Sequence, residues 1–196
     1  MNDQSKYKPE VPDSRYSRTA HNLASAFRRE TKSSVRNSFY AQYAKESGYN
    51  AVSALFDACS MSERIHALRH AKSALFMGIS VKIKIHPVRR ESVPVLLDKM
   101  LTHEILADLN YPDLIVDALD EHFELAVLSF RFAMQTERIH IQLCHEAIDS
   151  PDYWRSESRQ FQVCSLCGNT RTSGTGLCEN CGAAFERFTI FEGHPN

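Results

Sequence analysis

The sequence predicts an all-α four-helix bundle with one long crossover, followed by a small C-terminal β module built on paired C-x-x-C knuckles. Three observations carry that prediction. Met61-Ser62-Glu63-Arg64-Ile65-His66 returns as Gln135-Thr136-Glu137-Arg138-Ile139-His140, an internal repeat at an offset of 74 residues. Glu30 precedes Glu63 by 33 residues, and Glu104 precedes Glu137 by the same 33. If each half is a helical hairpin, the chain climbs about 17 residues, or roughly 25 Å, then turns and descends the same distance. The two carboxylates of each half then return to one level. Finally, Cys164, Cys167, Cys178 and Cys181 cluster near the C-terminus, whereas Cys59 and Cys144 stand alone in helical patterns.

Taken in order, residues 1–18 are polar, contain Pro9 and Pro12, and read as a tail. From Thr19, an expected N-cap, Leu23, Ala26, Phe27, Val35, Phe39, Ala41 and Tyr43 mark a first helix that also carries Glu30 inward. Gly48-Tyr49-Asn50 supplies the reversal, because glycine takes the left-handed conformation that ends a helix. A second helix over about 50–77 leads through Val52, Leu55, Phe56 and Cys59 to Glu63 and His66. Residues 78–94 break the pattern: Val81, Ile83 and Ile85 alternate with lysines, giving some strand character near Lys82, and Pro87 and Pro94 punctuate the run. This length suits the long link of a bundle whose second helical pair is reached by a crossover. A third helix is expected over about 92–120, bent or interrupted by Pro112. After a reversal at Asp120-Glu121-His122, a fourth runs over about 121–148 through Leu125, Val127, Leu128, Phe130 and Phe132. The organisation read from this is a tail (1–18), a helical domain (19–149), a linker (150–160) and a cysteine module (161–196).

Composition narrows the function. Lys plus Arg total 23 against 24 for Asp plus Glu, with no polybasic block, so neither nucleic acid nor a membrane surface is indicated as a partner. No apolar run reaches the roughly 18 residues of a spanning helix, and the N-terminus lacks the apolar stretch of a signal peptide. A cytoplasmic protein is expected. In that compartment paired C-x-x-C knuckles are thiolate metal sites more often than disulfides.

The repeat carries the chemistry. On a helix, Glu63 and His66, like Glu137 and His140, lie three residues apart and therefore on one face. One Glu-x-x-His is weak evidence on a surface helix. Two of them, each with a glutamate at the same upstream distance, form a six-ligand set from four helices: Glu30, Glu63, His66, Glu104, Glu137 and His140. Four carboxylates neutralise two divalent ions, with Glu63 and Glu137 nominated as bridges and Glu30 and Glu104 as terminal ligands. Hard oxygen ligands with one imidazole per ion suit iron or manganese, and zinc fits the same cage. His103, beside Glu104, could compete as a ligand. His70 and His145 read as polar-face residues, and Cys59 and Cys144 as small core hydrophobes.

At the C-terminus, Cys164-Ser165-Leu166-Cys167-Gly168 and Cys178-Glu179-Asn180-Cys181-Gly182 present four thiolates to one ion, and each following glycine frees backbone amides to face sulfur. Structural zinc and redox-active iron fit this spacing equally well.

These modules, with Asn22-Leu23-Ala24-Ser25-Ala26-Phe27-Arg28-Arg29-Glu30 and Tyr43-Ala44-Lys45-Glu46-Ser47-Gly48-Tyr49, resemble the rubrerythrin family over about residues 19–191. The resemblance implies a ferritin-like di-iron domain joined to a rubredoxin-like domain, reducing hydrogen peroxide to water with electrons relayed through an iron on four cysteines. It implies a reduced electron donor as partner, and a homodimer in which the rubredoxin of one chain serves the di-iron site of the other. Carried over, Glu30, Glu63, His66, Glu104, Glu137 and His140 would hold two irons, and Cys164, Cys167, Cys178 and Cys181 one. Two departures stand out. Ala107 occupies the place of an additional family glutamate, which would keep the ion on the His66 side fixed. Glu179 replaces a frequent knuckle proline, leaving zinc as the alternative at the cysteines. The other function weighed is an iron-handling, ferroxidase-like protein with a structural zinc ribbon.

Overall fold

The computed structural model describes residues 17–195, so most of the expected tail lies outside the described residues. Four long helices form the bundle: α1 (Arg18–Glu46), α2 (Asn50–Phe76), α3 (Val93–Asp120) and α4 (Glu124–Asp149). The hairpin pairs α1 with α2 and α3 with α4 pack most extensively, and α2 against α4 and α1 against α3 close the bundle.

Helix boundaries differ from expectation where side chains decide them. The N-cap of α1 is Ser17 rather than Thr19, because Ser17 Oγ accepts from the Ala20 amide. A distant carboxylate completes this cap: Glu121 accepts from the Arg18 amide (2.8 Å) and the Thr19 amide (3.2 Å). The first hairpin turns at Gly48 with φ 76°, and the second at His122, which takes φ 54° without being glycine. Pro112 does not interrupt α3, which remains helical through it. The proline lies on the exposed face, where water can satisfy the carbonyl that loses its donor. Residues 79–92 carry no regular structure, and the suggested strand near Lys82 is absent there. These side chains are mostly solvent-facing, and no strand among the described residues pairs with them.

Within 150–160 the chain forms a short helix, α5 (Pro151–Ser156), whose Trp154 is buried and stacks on Phe161. The C-terminal module is a three-stranded antiparallel sheet of order β2-β1-β3, from β1 (Arg159–Cys164), β2 (Thr170–Arg171) and β3 (Phe188–Gly193). It docks on the bundle. Trp154, Phe161 and Val163 belong to the same apolar cluster as Val52, Leu55, Phe56, Cys59 and Leu143. At the edge, Gly193 lies so close to the Asn50 backbone that a Cβ would collide with it. Helix α2, buried on nearly all sides, touches α1, α4 and all three strands. No helix among the described residues is long and apolar enough to cross a membrane.

Candidate metal centres

The equal spacing of the two halves brings all six repeat-derived residues to one level inside the bundle. Their ligand atoms fall into two overlapping groups, each within 4.8 Å: Glu30, Glu63, His66 and Glu137, and Glu63, Glu104, Glu137 and His140. Every one is buried. Glu63 and Glu137 are common to both groups, which is the position of a bridging carboxylate. His140 Nδ1 stands 3.2 Å from Glu63, 3.5 Å from Glu104 and 3.8 Å from Glu137. His66 Nδ1 lies 3.2 Å from Glu63 Oε2.

Protein groups alone satisfy this cage poorly. Glu63 Oε1, Glu104 Oε1, both oxygens of Glu137 and His140 Nδ1 have no hydrogen-bond partner among the described residues. Burial, with Glu63 and Glu104 beside it, pushes the Glu137 carboxyl well above the usual range. Burial also raises Glu30, against the pull of Arg29, whose guanidinium donates to Glu30 Oε1 at 2.9 Å. His140 is raised as well: burial opposes its charge, but Cys59 and the carboxylates around it outweigh that and hold it well above its ordinary value. Four buried acids demand compensating positive charge. The donor set of oxygens plus one imidazole per group fits two divalent transition-metal ions.

In the module, Sγ of Cys164 is 3.7 Å from that of Cys181, and Sγ of Cys167 is 3.5 Å from that of Cys178. A disulfide needs about 2.05 Å. Four sulfurs at about 2.3 Å from a central ion lie about 3.8 Å apart in a tetrahedron, so the cluster fits one tetrahedral metal. The knuckles repeat one backbone pattern: Gly168 N donates to Cys164 O and Gly182 N to Cys178 O. Glu179, where a proline is frequent, accepts from Asn169 (3.1 Å) and Arg171 (3.0 Å), tying the second knuckle to the first.

The two centres abut through the ligand histidines. Both imidazoles turn Nδ1 to the carboxylates and Nε2 to the module. His140 Nε2 meets Thr170 Oγ1 at 3.1 Å. His66 Nε2 faces Gly168, where a Cβ would collide with it and stand 2.7 Å from Cδ2. Gly168 also has φ 84°, so both space and backbone conformation select glycine. Ser62 Oγ donates to Gly168 O at 2.7 Å, which pins the knuckle in place. A chain's module thus rests on that same chain's cage.

Other candidates fall away or change. His103 is exposed, bonded to the Lys99 carbonyl, and outside both groups. His145 is exposed as expected, and Cys59 and Cys144 are buried in the apolar cluster. His70, expected on a polar face, is fully buried, because four residues after His66 it continues the inward stripe of α2. Ala107 is buried among apolar residues, leaving α3 with Glu104 alone in the cage. The residues not anticipated are Tyr111, His70, Arg29 and Ser129 around Glu30, and Ser62, Gly168 and Thr170 at the knuckle. Helical spacing held one signal for them: Tyr111 and His70 each lie seven residues beyond a cage glutamate.

Comparison with known proteins agrees with this geometry. A family model described as Rubrerythrin matches residues 21–148. Rubrerythrin-1 of Clostridium acetobutylicum is 28% identical over 163 residues, covering 77% of this chain and 82% of that protein. Nigerythrin of Nitratidesulfovibrio vulgaris is 28% identical over 155 residues, covering 76% and 74%. The solved fully reduced, all-ferrous state of nigerythrin superposes with a TM-score of 0.81 at 25% identity, covering 88% of this chain and 86% of that one. A Desulfovibrio desulfuricans bacterioferritin superposes at 0.67 with 15% identity, a likeness of fold alone. The bundle is ferritin-like, and the four-cysteine sheet module fits a rubredoxin-like domain.

Proposed function

The chain belongs to the rubrerythrin family, and from that premise we propose that it is a di-iron oxidoreductase reducing hydrogen peroxide to water, with electrons passing through an iron on the four cysteines. The observation that carries the relay is the contact of the module with the outer side of both ligand histidines: the Thr170 hydroxyl lies 3.1 Å from His140 Nε2, and Gly168 packs closely against His66 Nε2. A ribbon serving only to fold its own loop has no use for that contact.

Two ions would be held with Glu63 and Glu137 shared between them, Glu30 and His66 completing one end and Glu104 and His140 the other. Bound iron would supply one electron per ion and Lewis acidity in the cage, and single-electron exchange at the cysteines. The remaining work belongs to the chain. Thr170 and Gly168 fix the planes of the two imidazoles, so Nδ1 of each stays aimed at the carboxylates. Arg29 holds Glu30 from outside, and the bundle core keeps bulk water from the acids. Because the knuckle lies on its own chain's histidines, the proposed relay runs within each chain, in a homodimer as in a single copy. The donor that reduces the module remains a partner class, a low-potential electron carrier.

A second reading draws on Ala107. With no second carboxylate on α3, the cage is nearly symmetric, which favours fixed ions and an iron-oxidising role with zinc at the cysteines. Elemental analysis and the visible spectrum separate the two readings. Protein from iron-replete cells is expected to hold iron at the tetrathiolate and absorb visibly, and its reduced form is expected to oxidise at the di-iron pair on adding peroxide. A colourless zinc-filled tetrathiolate sinks the relay, and an inert reduced cage sinks peroxide reduction.

A further inference from the structure

A groove of ≈ 430 Å³ opens on the surface where α2, α4 and the first knuckle meet, lined by Arg69, Ser73, Phe76, Leu125, Ser129 and Leu166, among others. From Ser129 in its wall, an unbroken line of hydrogen bonds crosses the bundle to the cage. Ser129 Oγ lies 2.8 Å from His70 Nδ1, His70 Nε2 lies 3.1 Å from Tyr111 Oη, and Tyr111 donates to Glu30 Oε1 at 2.6 Å. One residue comes from each helix. We infer that Ser129, His70 and Tyr111 relay protons from this groove to Glu30. The inference rests on the proposed peroxide reduction, since each peroxide reduced by two electrons to two waters consumes two protons.

The polarity of the line follows from donor counting. Tyr111 has one hydrogen, and a carboxylate oxygen takes it, so His70 Nε2 must carry the hydrogen between those two groups. Burial holds the imidazole far below its ordinary pKa, at about 3, so it is neutral and Nδ1 is bare. Ser129 therefore donates to Nδ1. Every donor points toward Glu30. As the Tyr111 O–H breaks and a proton forms its bond to Glu30 Oε1, Nε2–H passes to the Tyr111 oxygen, the Ser129 proton to Nδ1, and groove water reprotonates Ser129. The chain gains no charge in between. After delivery the hydrogen sits on Nδ1, and the line carries another proton only once the ring has lost that hydrogen to water and regained one on Nε2. Phe130 packs on both rings, at centroid distances of 5.3 Å and 6.1 Å, and Arg29 lies 4.5 Å over Tyr111 and donates to the same Glu30 Oε1, so the middle of the line is walled by aromatic packing and its end is shared with the guanidinium.

The internal repeat supplies a control. At the offset of 74, the counterparts of Tyr111, His70 and Ser129 are Asn37, Cys144 and Leu55. Leu55 cannot pass a proton, and both polar atoms of Asn37 have no hydrogen-bond partner among the described residues. Among the described residues the Glu104 end has no such line, so delivery is one-sided.

Two measurements test this. In metal-free protein with nitrogen-15 histidine, the ring shifts of His70 should report a neutral imidazole with its hydrogen on Nε2 at pH 7; a hydrogen on Nδ1 alone, or a charged ring, overturns the relay. In iron-loaded, reduced protein, single-turnover oxidation by peroxide should slow roughly a hundredfold in Ser129→Ala and Tyr111→Phe, while Ser129→Thr keeps the rate and solvent deuterium isotope effect of the parent. Equal rates in parent, Ser129→Ala and Tyr111→Phe overturn the relay and leave peroxide reduction standing. A parent protein inert to peroxide overturns the function instead, and the tautomer of His70 then decides the hydrogen-bond line by itself.

Discussion

Glu137 concentrates the cost of the cage in one side chain: both its oxygens are buried without a hydrogen-bond partner among the described residues, and two other glutamates adjoin it. Replacing it with leucine, of similar volume, removes that cost and with it a bridging ligand. We expect metal-free Glu137→Leu to be more stable than the metal-free parent by about 1–3 kcal/mol in urea unfolding, while elemental analysis finds fewer than two ions per bundle. A less stable metal-free variant would contradict this account of the cage. The six cage residues were legible because a repeat with equal spacings marks them twice. Tyr111, His70 and Ser129 were not, since their repeat counterparts Asn37, Cys144 and Leu55 differ in chemistry. Gly168 was legible only as a knuckle glycine, because the imidazole it must avoid is 102 positions away in sequence.

At the scale of elements, the carboxylate of Glu121 at the end of α3 serves as a cap for α1. Its hydrogen bonds come from the Ser17 hydroxyl and the amides of Arg18 and Thr19. Burial opposes its ionisation, but these donors outweigh it and hold its pKa below the usual carboxylate value. A depressed folded-state pKa gives stability that is full above the unfolded value and is lost as pH falls through the folded one. Glu121→Gln should therefore cost about 1 kcal/mol at pH 7, with the gap to the parent closing in acid, as followed by thermal melting across pH. Helix extents were readable from apolar periodicity to within a few residues. The cap on Ser17 and the uninterrupted passage of α3 through Pro112 were not, because each depends on what lies across the bundle or on which face meets water.

For the whole molecule, the decisive residue is Trp154, in a stretch whose proline and charges suggested only a connection. It is buried and stacked on Phe161 within the core that α2 shares with the sheet. Trp154→Ala should cost about 3–5 kcal/mol in global unfolding and expose amides of α2 and β1 together in hydrogen exchange. Protection lost in the sheet alone would mean the two units are less joined than their common core indicates. The general architecture was visible in sequence, but this joint was not, since one tryptophan among charges gives no period.

The seat of Gly168 against His66 bears on how the two centres would communicate. A tethered domain that swings on a linker meets its target at an effective concentration set by tether length, and the encounter sets the pace. Here the knuckle is already at van der Waals range of the imidazole, held by a shared core. On the proposed reading, transfer between the centres waits on neither diffusion nor solvent viscosity, and dilution leaves it unchanged.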